Sequence, residues 1–189
     1  IRSIERFSPE QKEKYLAWLR DKSDFYVAPA STKYHLACAG GLLKHSLNVF
    51  DALNKIAPVS YTERNKDSIK IVTLFHDLAK VNFYESYNRN VKNEITGKWE
   101  EVSSYRIKED DSRFIFGNHE ATSEYIARTF FPLSVEESVA ILHHHGGKGY
   151  DSSQENLSTI YNKYPLALYL HLADMYATYI IETEHEEII

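Results

Sequence analysis

Residues 166–181 read LALYLHLADMYATYII, with a single carboxylate, Asp174, in the middle of the run. Apolar side chains fall nearly all round a helical wheel drawn through it. The stretch from Pro165 to about Ile181 therefore predicts a central buried helix rather than a surface one. Leaving a carboxylate unpaired there would cost several kcal/mol. Asp174 needs a partner, either a buried Lys, Arg or Tyr or a metal ion.

Working outward, helical spacing recurs along most of the chain. S-P-E-Q at residues 8–11 offers an N-cap, a proline at the first helical position and Gln11 to close a capping box; Tyr15, Leu16, Trp18 and Leu19 form the apolar side. Residues 24–41, DFYVAPASTKYHLACAGG, mix aromatics with small residues and helix breakers and read as an ordered loop lying against the core. Apolar periodicity runs from Gly41 to Ala57 and stops at Pro58. A third helix is expected from about Lys66 to Ala79, a fourth from His119 to Phe130, and a fifth from the capping box at Ser134 to His145, where Gly146 and Gly147 stop it. Between the third and fourth, residues 81–107 are rich in Tyr, Val, Trp and Asn around T-G-K, which predicts a hairpin projecting from the helical body. The fold class is mainly α.

At 189 residues, 43% hydrophobic and 26% charged, the chain is expected to form one domain spanning residues 1–189 that needs neither disulfide nor structural metal to fold. Its lone cysteine, Cys38, has no internal partner for a disulfide. With no charged-then-apolar leader and no apolar run long enough to cross a bilayer, a reducing cytoplasm and no membrane attachment are expected. A net charge of -5 with interspersed signs argues against a protein that grips a long nucleic-acid backbone. Small anionic substrates fit only if something else supplies positive charge.

Nine histidines are the compositional oddity, and their placement matters more than their number. His76 and Asp77 are adjacent in LFHDLAK at the end of an apolar helix, where one imidazole and one carboxylate can serve a single ion, or act as a core histidine and a helix-ending aspartate. His45 borders the apolar stripe of the second helix, as a hydrogen-bonded core side chain or a ligand. His45, His76, Asp77 and Asp174 together give two nitrogens and two carboxylates from three helices, a cage for one divalent ion. His119, opening a helix in GNHEATSEYI, and one of His143, His144 and His145 could complete a second site. Successive helical residues point about 100° apart. On a helix reaching residue 145, His144 stacks over Ala140 and Ile141 on the inward side, leaving His143 and His145 at a partly solvated helix end where the dipole favours them. His35, His171 and His185 read as structural or exposed.

The order His, His-Asp, then one or two His, then Asp resembles the defining pattern of the HD-domain superfamily of metal-dependent phosphohydrolases, across a core from about residue 24 to 182. SDFYVAPASTKYH, GGLLKHSLNVF, LFHDLAKVNFY, RNVKNEITGKWEEV and YPLALYLHLADMYATY are similar to a bacterial and phage branch described as hydrolases. The resemblance implies an HD-domain-like helical bundle with a β-hairpin insertion. It implies that His45, His76, Asp77 and Asp174 bind a first metal, with Asp77 bridging to a second held by His119 and His144. Lys80, in HDLAK, would approach a substrate phosphate, though a lysine there also suits a helix C-terminus.

On this reading the cofactors are one or two divalent ions from among Mn, Fe, Ni, Co, Zn and Mg, and the partner is a small phosphorylated substrate, a nucleotide or short oligonucleotide. Two divalent ions would activate water and supply the positive charge the chain lacks. Some relatives on this fold hold two irons and activate O2, which leaves an oxygenase as the alternative; a catalytically silent nucleotide-binding module is the other. No Walker loop, dinucleotide fingerprint, CxxC pair or serine elbow points to a further class. The hairpin aromatics Phe83, Tyr84, Tyr87, Trp99 and Tyr105 are expected to pack the strands together, with Tyr84 or Tyr87 available to stack on a base.

Overall fold

The computed structural model describes residues 1–109, 118–146 and 156–183; His185 and Gly147 lie outside the described residues. Among these, seven α-helices and one two-stranded antiparallel sheet give the mainly α architecture expected. Helix α1, Pro9–Asp21, starts on the capping box: Gln11 N–H donates to Ser8 Oγ at 3.2 Å and Ser8 N–H donates to the Gln11 side chain at 3.0 Å. Helix α2, Gly41–Ile56, ends before Pro58. Gly41 is required by close approach rather than by dihedral, because a Cβ there would come within 2.1 Å of the Leu36 carbonyl oxygen. The loop preceding α2 therefore closes directly on the helix.

Helix α3, Val59–Phe75, begins at Val59 rather than at Lys66. Pro58 presets the entry to the helix, and the polar first turns of α3 carry no apolar periodicity for a pattern to detect. A kink at Asn65 separates those turns from the rest, where the Asn65 amide donates to the Tyr61 carbonyl at 2.9 Å. At its other end α3 stops at Phe75 rather than Ala79, and Leu78–Lys80 form a 3₁₀ turn. Ala79 N–H donates to Ser123 Oγ at 3.0 Å, which ties that turn to α4, His119–Phe130.

Strands β1, Tyr84–Lys92, and β2, Trp99–Ile107, pair in register from Tyr84 with Ile107 to Lys92 with Trp99. Asn93 Oδ1 accepts from the N–H groups of Ile95 and Thr96, and Gly97 takes φ +70° to close the turn. Among the described residues the strands pair only with each other, and Trp99 is 70% exposed.

Helix α5, Val135–Leu142, has the expected capping box at Ser134 and Glu137 but ends at Leu142, not His145. The histidines themselves stop it. His143 and His144 donate from Nδ1 to the carbonyls of Val139 and Ile141, at 2.9 and 2.7 Å, and Gly146 turns the chain at φ +69°. A short helix α6, Leu157–Lys163, not among the elements expected although Leu157, Ile160 and Tyr161 follow helical spacing, precedes α7, Pro165–Tyr176. A π turn, Ala177–Ile181, continues α7 to the end of the apolar run.

The run is not buried all round. Leu166, Ala167, Leu170, Ala173, Asp174 and Ala177 face the interior, with α2, α5 and α6 packed on the helix, whereas Leu172, Met175, Tyr176 and Tyr179 are exposed. Neighbouring helices cover only part of its circumference. The core reaches back to Ile4 and Phe7; Phe7 stacks on Phe131 at 4.1 Å between centroids, and Tyr15 meets Phe75 edge-on at 5.1 Å. Each such side chain contributes about 1.5–3 kcal/mol on burial. Among the described residues no helix is long and apolar enough to cross a membrane.

Candidate metal centre

All six histidine and aspartate residues expected as ligands meet at one place. His45 comes from α2, His76 and Asp77 from the break between α3 and the 3₁₀ turn, His119 from the first turn of α4, His144 from the turn after α5, and Asp174 from the buried side of α7. Asp77 lies at the centre. Its Oδ1 is 2.6 Å from His119 Nε2 and 3.7 Å from His144 Nε2; its Oδ2 is 3.4 Å from His45 Nε2, 3.7 Å from His76 Nε2 and 2.7 Å from Lys80 Nζ. One carboxylate thus presents one oxygen to each of two histidine sets. Asp174 Oδ1 joins the second set, 3.1 Å from His45 Nε2.

The ring nitrogens are sorted by the hydrogen bonds behind them. His76 donates from Nδ1 to the Thr73 carbonyl at 3.0 Å and His144 to Ile141 at 2.7 Å, while His45 donates from Nδ1 to Glu182 at 3.0 Å. With Nδ1–H committed outward, Nε2 is the nitrogen each ring turns inward, the arrangement that outer partners impose on metal-binding histidines. His45 Nε2 and His76 Nε2 lie 3.3 Å apart. A proton can satisfy one such pair of nitrogens, whereas a cation satisfies both together with the carboxylates. His144 Nε2 is buried with no hydrogen-bond partner, an orphan that a cation would satisfy.

The separations suit a divalent ion. Donors about 2.1 Å from a common centre lie about 3.0 Å apart along octahedral edges and about 3.4 Å along tetrahedral ones. Two sets of side chains, His45 with His76 and Asp174, and Asp77 with His119, His144 and His145, have donor atoms within 4.8 Å of one another. The donors are all nitrogen and oxygen, which favours Mn, Fe, Co, Ni or Zn over a thiolate-loving ion.

Electrostatics keep the set ready to bind. Burial works to raise Asp77, but the Lys80 ammonium, His76 and His119 outweigh it and hold the carboxyl well below the usual range. Burial likewise opposes ionisation of Asp174 and is outweighed by the hydrogen bond from His45. Burial pushes His76 down to about 4 and, with His145 and His76 as neighbours, holds His144 well below an ordinary histidine. His45 goes up, to about 9: burial pulls it down, and Asp174, Glu182 and Asp77 prevail; His145 is raised too, burial being outweighed by Glu120, Asp77 and Asp174. The charged carboxylates and the neutral imidazoles of His76 and His144 are in the protonation states metal binding needs, whereas His45 must release a proton for an ion to take its place. Lys80 answers the same demand for positive charge on Asp77 and also lines the neighbouring cleft.

His145 has a 42% exposed side chain, as a partly solvated position should, but it is also held in place. It donates from Nδ1 to Glu120 at 2.7 Å and its Nε2 is 3.8 Å from Asp174 Oδ2. His143 and His144 are both buried, so His143 is not at a solvated helix end, and His144 reaches the cluster because the chain turns there, not because it continues a helical face. His171, expected to be structural, donates to the His144 carbonyl at 2.7 Å and packs where a Cβ on Gly146 would fall. His35 shares the Glu182 carboxylate with His45. The sequence pattern missed Glu182 and His145. Glu182 follows the apolar run with no periodicity to mark it, and His145 was assigned by the helical geometry that the turn replaces.

A cleft of about 930 Å³ opens over the cluster, lined by Lys33, Tyr34 and Cys38 of the loop before α2, by Lys80 and His145, and by Asp174, Met175 and Tyr179 on and after α7. No hairpin residue among those described lines it, so the expected stacking role for Tyr84 or Tyr87 finds no support there; Tyr87 is instead covered by the Arg106 guanidinium at 5.4 Å. The base of the hairpin stays beside the cluster, where Lys80 and Asp77 act on the Tyr84 phenol, and the loop before α2 lines the cleft.

Comparison with curated proteins and with solved structures finds no significant match to either. Comparison with protein families matches residues 42–179 to the HD domain. That span contains all six clustered residues and covers most of the chain, and the chain belongs to the HD-domain family of metal-dependent phosphohydrolases.

Proposed function

We propose that this protein hydrolyses a phosphate ester in a nucleotide or short oligonucleotide, using one or two divalent ions held by His45, His76, Asp77, His119, His144 and Asp174. The observation that carries the reading is the division of Asp77 between two donor sets, one at each carboxylate oxygen. Divalent ions there acidify water and neutralise charge on phosphoryl oxygens. The chain supplies the rest. Lys80 places an ammonium between Asp77 and the cleft, where it adds electrostatic stabilisation as charge develops on the phosphoryl group. His145 fixes the adjoining rim through Glu120.

A nucleotide suits the cleft on two counts. Its volume lies in the range of small-molecule sites, and Tyr34 and Tyr179, 85% and 62% exposed, offer ring faces on its walls. Lys33 adds positive charge on the same side. The similarity of the loop and hairpin phrases to a bacterial and phage hydrolase branch agrees with this assignment.

The test is metal analysis of protein purified without chelator, followed by a screen of nucleoside mono-, di- and triphosphates, cyclic dinucleotides and short oligonucleotides with each metal restored. Phosphate or nucleotide release that EDTA abolishes supports the proposal. Bound iron with O2 consumption and no phosphate release would transfer it to an oxygenase. Tight nucleotide binding without turnover under any metal would make the protein a sensor.

A further inference from the structure

Glu182 follows the π turn, with its side chain fully buried. Its carboxylate accepts from His45 Nδ1 at 3.0 Å, from His35 Nδ1 at 2.7 Å and from Asn48 Nδ2 at 2.9 Å. His45 and Asn48 stand one turn apart on α2, and His35 belongs to the loop that walls the cleft. We infer that Glu182 is a positioning residue whose one carboxylate aims His45 Nε2 into the metal cluster and, through His35, fastens the cleft wall to the same point. The inference rests on the metal-dependent reading above and extends it to a residue outside the cluster.

The imidazole of His45 has two faces of use only if its ring is held one way round. An acceptor at Nδ1 places the proton there and leaves the Nε2 lone pair for an ion. Asn48 cannot take over this task, because its amide is already committed to the same carboxylate. The loop side is equally constrained. Ser31 Oγ donates to the His35 carbonyl at 2.8 Å and accepts from Tyr34 N–H at 3.0 Å, and Ala30 N–H donates to the Leu36 carbonyl at 3.1 Å. These bonds close the loop on itself, Leu42 N–H of α2 donates to the Ala28 carbonyl at 2.9 Å, and the His35 contact ties the loop across to the chain beyond α7. A displaced Glu182 would therefore disturb ligand and wall together.

His35, His45 and Glu182 also lie close enough to hold an ion of their own. That arrangement would need His45 to serve an ion from each nitrogen, and His35 and His45 to give up their Nδ1 hydrogen bonds to Glu182. The positioning role requires neither, and the two differ in the number of ions bound.

The experiment titrates metal-free protein with Mn2+ against a fluorescent chelator and follows amide exchange across residues 31–38. Glu182→Gln, nearly isosteric but without the charge, is expected to weaken Mn2+ binding about 10–100-fold with the number of bound ions unchanged, and to speed exchange in the loop about tenfold. His35→Ala is expected to speed the same amides while keeping Mn2+ affinity within about threefold, because His45 retains its acceptor. Folded Glu182→Gln protein that binds Mn2+ within about threefold of wild type would overturn the inference. Loss of one bound ion would also overturn it by making Glu182 a ligand. Where the glutamine variant does not fold, Glu182→Asp, which shortens the reach, is read on the same two measures, and wild-type behaviour in both rejects the inference. Wild-type protein that binds none of Mn2+, Fe2+ and Ni2+ rejects the metal reading itself, a different failure from wild-type affinity in the variants.

Discussion

Asp77→Asn separates two consequences of one buried charge. In the metal-free protein Lys80 loses the carboxylate 2.7 Å away. Removing one partner of a fully buried pair costs about 3–5 kcal/mol. The Lys80 side chain is 14% exposed and lines the cleft, so its ammonium can turn to water, and about 1–3 kcal/mol is expected instead. At about 2–4 °C per kcal/mol for a domain of this size, the melting temperature falls by about 3–10 °C. The metal consequence is larger. Asp77 faces both donor sets, so its loss should weaken Mn2+ binding more than about 100-fold, beyond the 10–100-fold typical of an outer partner. Thermal melts followed by circular dichroism in EDTA, with Mn2+ titration of the same samples, measure both. Adding Lys80→Met to Asp77→Asn should return most of the lost melting temperature, because no cation is left without a partner, and should return none of the Mn2+ affinity. Asp77→Asn protein with wild-type Mn2+ affinity refutes the central placing of Asp77. Simple additivity of the two substitutions refutes the charge argument.

Among the three adjacent histidines, His144→Ala should lower Mn2+ affinity the most and His145→Ala less, while His143→Ala stays within about threefold of wild type, since its ring stands outside both donor sets; isothermal titration of the three gives the order. Tyr34→Ala or Tyr179→Ala should raise the substrate KM about tenfold with metal content unchanged, a loss of about 1.4 kcal/mol of uniform binding. Tyr87→Ala should leave KM unaltered, and the reverse pattern would return the substrate to the hairpin. Away from the cluster, burial raises Glu137 but the Arg6 guanidinium and the Ser134 N–H outweigh it and hold its carboxyl below 4.5. A depressed folded value contributes stability above pH 4.5 and loses it as pH falls through the lower folded value. Glu137→Gln should therefore cost about 1 kcal/mol at pH 7, a low figure because Arg6 is 34% exposed, and the gap from wild type should narrow by pH 3 in urea melts.

Much of this protein is legible in its sequence because much of it is local. The capping boxes at Ser8 and Ser134, the stop at Pro58 and the turn of the hairpin each depend on residues within a few positions, and each forms as read. Asp174 declares itself by being charged within an apolar run, and the His, His-Asp, His, Asp order is carried by the chain itself. Tertiary structure decided the rest. The turn after α5 brings His145 to Glu120, 25 positions away in the chain, and to the cleft. Where α3 gives way to a 3₁₀ turn depends on Ser123 of α4, and that break directs Asp77 between two histidine sets. The same holds for Glu182, which meets His35 and His45 from 147 and 137 positions away. Periodicity reports only which face of one element is apolar. Contacts between distant segments form after those faces have packed, so the cluster's outer partners and the wall of its cleft exist only in the folded chain.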